Sequence, residues 1–431
     1  LPAGFYYKTF MWPRSAWMRY EHYIRKAAGL GHAPSGPDPD HYDKRHCHCD
    51  VLVVGSGPAG LMAALGAARS GARVILADEQ ARLGGSLLHA SVQIGGKTAV
   101  DWVGEVLTEL HTYPEVTLLK RSTVAGYYDH NFLTINERRT HHQGPGQSDP
   151  RISRERLWRV RARQVILATG AIERPLVFSG NDTPGVMLAS AVSTYVRRYA
   201  VAPGQCGAVF TNNDSGYQAA LDMAFAGMEV VAVVDIRANP APASISAVKA
   251  LGIPVYLGHG VPSVEQNRQG LSGIELARLT DDGKSIQSHK GVHRCQVLAV
   301  SGGWSPAVHL YSQSGGRARF DEKRACFVPG ESVQAERSAG SSKGTFDLAG
   351  CLREGANAGV AAAAASGWPG SSIDVPVTSA PPCAAIQACW EVPTDALGGT
   401  GAKKFLDFQN DTTVADVQLA AREGYRSIEH V

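Results

Sequence analysis

Eight cysteines are spread along this chain of 431 residues, and no two of them form a C-x-x-C pair. The redox dithiol that a thioredoxin-reductase-type enzyme needs is therefore missing. The closest pairs are Cys47 with Cys49, on either side of His48, and Cys383 with Cys389. Neither has a second pair at zinc-site spacing nearby. Free thiols in a reducing cytoplasm, with no bound metal, are the expectation. Charge of one sign is also scarce. The 42 Lys and Arg nearly balance 39 Asp and Glu, a net of +3, which is too mild to imply nucleic acid. No apolar run is long enough to span a membrane; the alanine run at 361–365 sits among Gly, Asn and Ser. No nucleophile–base pair and no metal triad can be picked out, so no catalytic residue is assigned. His111, His130, His141, His142, His259 and His309 are dispersed over loops and element ends, as surface or satisfied histidines would be. The first residue is Leu, and the last residues, LAAREGYRSIEHV, read as an unfinished helix. Both ends suggest a piece of a longer polypeptide, and no signal peptide is visible at this start.

Glycine and short apolar runs are what the chain has in quantity. The most informative stretch is 50–79, DVLVVGSGPAGLMAALGAARSGARVILADE. Residues 51–54 read as a buried parallel strand. The turn that follows is Gly55-Ser56-Gly57-Pro58-Ala59-Gly60, and it opens a helix rich in Ala and Leu. Gly71 ends that helix, and 74–77 is a second strand that closes on Asp78-Glu79. Gly55 permits the tight turn, Gly57 lets the backbone approach a pyrophosphate, and Gly60 lets helix and strand pack closely. The helix N-terminus offers free N–H groups and a positive dipole end to phosphates. Asp78 or Glu79 can accept ribose hydroxyls. A lone G-x-G-x-x-G is a weak signal; strand, helix, second strand and acid in this order are a strong one. Gly84-Gly85-Ser86 form a turn close in sequence to the ribose acid. Strand 165–168 then leads to Ala168-Thr169-Gly170, a tight exit beside the same site.

Fold class follows from the order of such units: α/β, with two nested Rossmann-like dinucleotide-binding domains of the three-layer type. Residues 1–49 form an aromatic segment and linker. Phe5, Tyr6, Tyr7, Phe10, Trp12, Trp17, Tyr20 and Tyr23 need burial, either on the chain's own core or at a subunit or cofactor interface. Residues 50–200 hold the first dinucleotide domain. Residues 201–300 are an inserted second one, with a helix at 217–226 and a strand at 230–234. Asn212 and Asp214 stand there where small residues belong. An acid beside a phosphate is repulsive, so this second unit is expected to be degraded and empty. The chain returns to the first domain at 301–366, passes a linker at 367–402, and starts a truncated C-terminal domain at 403–431. Lys8, Glu173 and Arg174 can reach a flavin phosphate or nicotinamide, with surface ion pairing the plainer role for each.

This layout resembles the two-dinucleotide flavoprotein superfamily. The matching motifs are Gly55 to Gly60 with Asp78, then Ala168-Thr169-Gly170, then the segment 347–365 beginning at Asp347, where Phe346 departs from the usual Gly-Asp. Within that group the chain is similar to the alpha subunits of heterotetrameric sarcosine oxidase. The carrying strings are GFYYKTFMWP, ADEQARLGGSLL, ATGAIERPLVFSGNDTPGVMLASA and KKFLDFQNDTTVADVQLAAREGYRSIEHV. The resemblance implies NAD in this chain, with Asp347 among its binding residues. It also implies FMN at an interface with a beta subunit, FAD in that beta subunit, and gamma and delta subunits completing the assembly. The missing C-terminal domain would bind tetrahydrofolate. The implied reaction is oxidative demethylation of sarcosine to glycine with hydrogen peroxide, its one-carbon unit passing to the folate. Amine oxidation would take place at the beta-subunit FAD. Three other readings stand beside this one. A self-contained FAD- and NAD(P)H-dependent oxidoreductase would need an intact second glycine turn and usually a dithiol. Alpha subunits of related opine or proline dehydrogenases share much of the layout. A non-catalytic nucleotide-binding scaffold would look the same in sequence.

Overall fold

The computed structural model describes residues 12–29, 35–144, 147, 149–370, 372–381, 383–394 and 403–428. Phe5, Tyr6, Tyr7, Lys8 and Phe10 lie outside them. Two compact units are present, one made of Leu1–Asp43 with Arg139–Glu155, the other of Lys44–Arg138 with Arg156–Val431. In the smaller unit the helix Trp17–Ala27 buries no residue. Trp12, Met18 and Tyr23 are exposed.

The larger unit begins with β1 (Tyr42–Val54), α1 (Pro58–Arg69) and β2 (Val74–Ala77). Then follow α2 (Ala99–Thr112), β3 (Val116–Leu119), β4 (Ser122–Tyr128), β5 (Phe132–Arg138) and β6 (Glu155–Leu167). Their sheet runs β3-β2-β1-β6-β5-β4. β1 and β2 pair in parallel from Val51↔Val74 to Val54↔Ala77, whereas β4 and β5 are antiparallel. Successive residues of a strand point to opposite faces, and both faces of β1 are covered. Val51 and Val53 pack with α1 and α2, while Leu52 and Val54 pack with Leu133, Ile135 and Val160 of the antiparallel strands. Helices, sheet and antiparallel strands make the three layers. β1 starts at Tyr42, inside what the sequence reads as linker. Its outer half, YDKRHCH, is largely exposed, so it carries no apolar signal to read.

After β6 the chain crosses on Ala171–Glu173 into a second parallel sheet. Its elements are β7 (Val186–Leu188), α3 (Ala189–Tyr199), β8 (Cys206–Thr211), α4 (Ser215–Phe225), β9 (Glu229–Asp235), β10 (Val255–Leu257) and β11 (Val297–Ser301). The order is β7-β11-β8-β9-β10. The chain returns on Trp304–Pro306, which pairs antiparallel with Ala171–Glu173. β12 (Glu336–Ser338) then joins β6 in parallel, and α5 (Leu348–Ala365) packs on α1. A Cβ added to Gly355 or Gly359 would lie 2.1 Å from the Ala59 or Ala63 carbonyl oxygen, so these two helices meet backbone to backbone. The α/β class with one dinucleotide fold nested in another is thus the observed architecture.

The stretch following α5, read from sequence as linker, contains a strap. The Ser379 amide donates to Gln93 O, and the Val392 amide donates to Val177 O. Val392 is fully buried in the second core. Beyond it, Phe405–Asp407 pairs with Thr412–Thr413, and a capping box of Thr413 and Asp416 starts the helix Val414–Arg422. Asn181 exchanges two hydrogen bonds of 2.9 Å with the Phe405 backbone, which ties this segment to the second unit.

Candidate dinucleotide-binding site

The turn between β1 and α1 is shaped by what surrounds each glycine. Gly55 has φ +96°, and a Cβ there would lie 2.3 Å from the Ala168 carbonyl oxygen. A Cβ on Gly60 would lie 1.8 Å from the Gly55 carbonyl oxygen, so only glycine fits there. A Cβ on Gly57 would meet nothing within 4 Å: it would project into the open space before the helix. Gly57 is also the N-cap of α1 and provides no side-chain cap; Pro58 follows at the first helical turn. The helix therefore presents uncapped N–H groups and its positive end to that space, a fit for a diphosphate.

Ser56 is fully buried and links the turn to the acid. Its amide and hydroxyl donate to Asp78 Oδ2 at 2.8 and 2.6 Å, and it accepts from the Gly84 amide at 3.1 Å. The Gln80 amide donates to Asp78 Oδ1 at 2.8 Å. Oδ1 keeps acceptor capacity for a ribose hydroxyl. Two adjoining cavities cross the carboxyl ends of the strands. One, of about 500 Å³, is lined by Asp78, Glu79, residues 122–125, His309, Leu310 and Gln313. The other, of about 380 Å³, is lined by Gly57, Pro58, Ala59, Gly85, Ser86, Ala168, Gly170, Trp304, Ser341, Phe346 and Cys351. Gly55, Asp78 and Thr169 belong to both walls, so the two form one elongated trough. An extended dinucleotide needs this shape at this edge of an α/β sheet. Three expected residues stand back from the trough. Gly60 packs helix on strand, Gly84 holds Ser56, and Asp347 caps α5 by accepting from the Gly350 amide. Its neighbour Phe346 supplies the wall instead.

The wall made by 122–125 and Gln313 carries no sequence signal, because these residues come from an antiparallel strand and a short helix with no motif of their own. Gln313 Oε1 is taken by the Tyr127 amide at 3.0 Å, which leaves its NH2 group as the hydrogen-bonding function on offer. Glu173 and Arg174 are not surface ion-pair residues. Glu173 is buried, and its Oε2 accepts from the Ser190 amide at the start of α3. Burial raises its carboxyl above the ordinary range. Arg174 donates to the Ala325 carbonyl oxygen, and burial lowers its pKa. The Cys351 thiol on the trough wall is pushed up to about 11 by burial, so it stays protonated near neutrality. All eight cysteines are free. Among the described residues no cluster could hold a metal ion, and no helix is long and apolar enough to cross a membrane.

A family model of the pyridine nucleotide-disulphide oxidoreductases matches residues 49–322. The chain belongs to that family. It is a member without the dithiol of the family's name, and dinucleotide or flavin binding is its common property. A second model, the sarcosine oxidase A3 domain, matches residues 401–431. The chain is 42% identical over 436 residues to sarcosine oxidase subunit alpha of Rhizobium meliloti (strain 1021), covering 100% of this chain and 42% of that protein. It is 44% identical over 409 residues to the subunit of the same name from Corynebacterium sp. (strain P-1), covering 94% of this chain and again 42% of the relative. The chain thus spans less than half the length of these relatives. Among solved structures, L-proline dehydrogenase from P.horikoshii superposes with a TM-score of 0.62 at 18% identity, over 89% of this chain and 68% of that one. T. acidophilum thioredoxin reductase gives 0.57 at 19% identity, over 74% and 99%. At such identities the likeness is one of fold.

Proposed function

We propose that this chain is part of the alpha subunit of a sarcosine oxidase and holds NAD in the trough. What carries the proposal is the open cradle at Gly57, before an uncapped helix and beside Asp78, in a chain 42–44% identical to proteins named as that subunit. The proposed assembly is cytoplasmic. In it a beta subunit carries FAD and completes an interfacial FMN site with this chain. Gamma and delta subunits and a tetrahydrofolate-binding C-terminal domain complete the enzyme. Sarcosine is oxidised there and demethylated to glycine, its electron pair reducing dioxygen to hydrogen peroxide and its one-carbon unit passing to the tetrahydrofolate. A nicotinamide or flavin supplies hydride or electron transfer wherever it is bound. The chain's own groups would bind and orient it: N–H groups of α1 would hold the diphosphate, Asp78 Oδ1 would accept a ribose hydroxyl, and the Gln313 NH2 would offer a donor from the trough wall.

The same acids bear on cofactor choice. Asp78 and Glu79 both line the ribose end of the trough, and a 2′-phosphate there would meet like charge. Denaturing the purified protein and measuring the spectrum and mass of what it releases is the direct test. NAD is the expected ligand, and weaker binding of NADP is expected in titration. Release of FAD, or tighter binding of NADP, would remove the assignment.

A further inference from the structure

The second dinucleotide fold keeps the geometry of the first, but a stretch of the chain itself lies across its cleft, and the cavity of about 340 Å³ that remains has residues 383–386 as one wall. Gly216 opens α4 as Gly60 opens α1. A Cβ on Gly216 would strike Thr211 at 2.6 Å, just as one on Gly60 strikes Gly55. By that equivalence Thr211 and Asn213 occupy the positions of the first two glycines. Asn213 turns inward: its side-chain Nδ2 donates to Ser301 O and Oγ, and its Oδ1 accepts from the Ser215 backbone amide. Asp235 ends β9 where Asp78 follows β2, yet it is fully buried. Burial raises its carboxyl, and the Arg237 guanidinium and Tyr217 hydroxyl oppose that rise. Arg237 spans the cleft, with Nη2 at 2.8 Å from both Asp235 Oδ2 and Asp214 Oδ1. One guanidinium shared by two carboxylates offsets only part of the repulsion that Asp214 would exert on a phosphate.

The chain's own backbone crosses this cleft. The Ala384 amide donates to Asp214 Oδ2. Arg237 Nη1 donates to the Ala385 carbonyl at 3.2 Å. The Gln387 amide donates to Asn212 O at 3.2 Å, and Asn212 Nδ2 donates back to Gln387 O at 2.9 Å. Asn212 and Asp214 of the loop, and Arg237 behind them, are thus engaged by peptide groups of the strap. We propose that the nucleotide cleft of the second unit serves as a receptor for the chain's own strap, residues 383–387, leaving one dinucleotide site per chain. The same strap continues to the buried Val392, whose carbonyl oxygen accepts from Lys404 Nζ at 3.1 Å. A cleft built for a diffusible nucleotide therefore anchors the segment that leads into the C-terminal domain. This inference does not depend on which nucleotide the first site holds.

Hydrogen exchange on the full chain, read at peptides covering 383–387, tests it together with nucleotide stoichiometry. The Ala384 and Gln387 amides are expected to be protected, and equally so with or without added NAD. The released nucleotide is expected to amount to one per chain, and added ADP should bind no second site. Asp214→Ala removes the Ala384 tether, and exchange in the strap should then rise on the order of tenfold while exchange in α1 stays as it was. The wild-type readings decide the matter even if this variant does not fold. Strap exchange as fast as in a free peptide, or a second bound nucleotide in the wild type, would overturn the proposal. Failure of the first site to hold NAD, with the strap still protected, would overturn only the earlier assignment.

Discussion

Gly55 and Gly57 are two residues apart and differ in what a side chain would meet. At Gly55 it would strike the Ala168 backbone from a left-handed conformation, so Gly55→Val should cost about 3 kcal/mol of stability. At Gly57 it would enter open space. Gly57→Val should lose no more than about 1 kcal/mol, from the poorer helix cap, while nucleotide affinity falls on the order of a hundredfold. Thermal denaturation and nucleotide content of the two variants separate these roles. Unchanged nucleotide content in Gly57→Val would place the diphosphate elsewhere. Both glycines were legible in the sequence because their reasons are local: a turn, a helix start, a strand on each side. Arg237 was not. It lies beyond the end of β9 and becomes meaningful only once Asp214, Asp235 and the strap are brought to it from positions remote in the chain.

At the scale of elements, Asp50 ties three of them together. Its carboxylate sits in β1 and is gripped by the Arg73 guanidinium, with contacts of 2.9 and 3.0 Å, just before β2. Trp368, past the end of α5, donates its indole N–H at 3.0 Å. The hydrogen bonds from Arg73 hold the Asp50 carboxyl down at about 2. The folded-state pKa is below the unfolded one, so this stabilisation is complete above about pH 4 and is lost as pH falls through 2. Asp50→Asn should lower Tm at neutral pH, and its gap from the wild type should narrow between pH 4 and pH 2. A gap of constant size over that interval would contradict the role. Elements with strong periodicity were readable in advance: the helix expected at 217–226 is α4. The strap was unreadable for the opposite reason. It is extended and aperiodic, and its order comes from backbone hydrogen bonds to distant loops, which Pro, Ser and Cys composition disguises as linker.

For the molecule as a whole, the groups brought together at the trough are ones that bind and orient a nucleotide. The helix Trp17–Ala27 buries no residue fully, and Met18 and Tyr23 on it are exposed. Tyr23 and Met18 on it, and Trp12 before it, form the kind of surface that a partner covers. The purified chain alone is therefore expected to give no sarcosine-dependent peroxide, with activity appearing when partner subunits are supplied. A peroxide assay with and without them checks this, and turnover by the chain alone would refute it.

Nesting one fold inside another also sets an order in time. β6 waits for β12, and α1 waits for the glycine face of α5, until everything between has been made. Elongation at about 5–20 residues per second makes that roughly ten seconds or more on the ribosome. During this interval the inserted sheet, whose strands β7 to β11 are all in hand, can close around its own core. The unit that begins the chain is then the one completed later, and its small-residue helix α1 spends the interval without the partner that covers it. Substitutions on the α1–α5 contact would accordingly be felt in the yield of nascent protein before they are felt in the melting temperature of what survives.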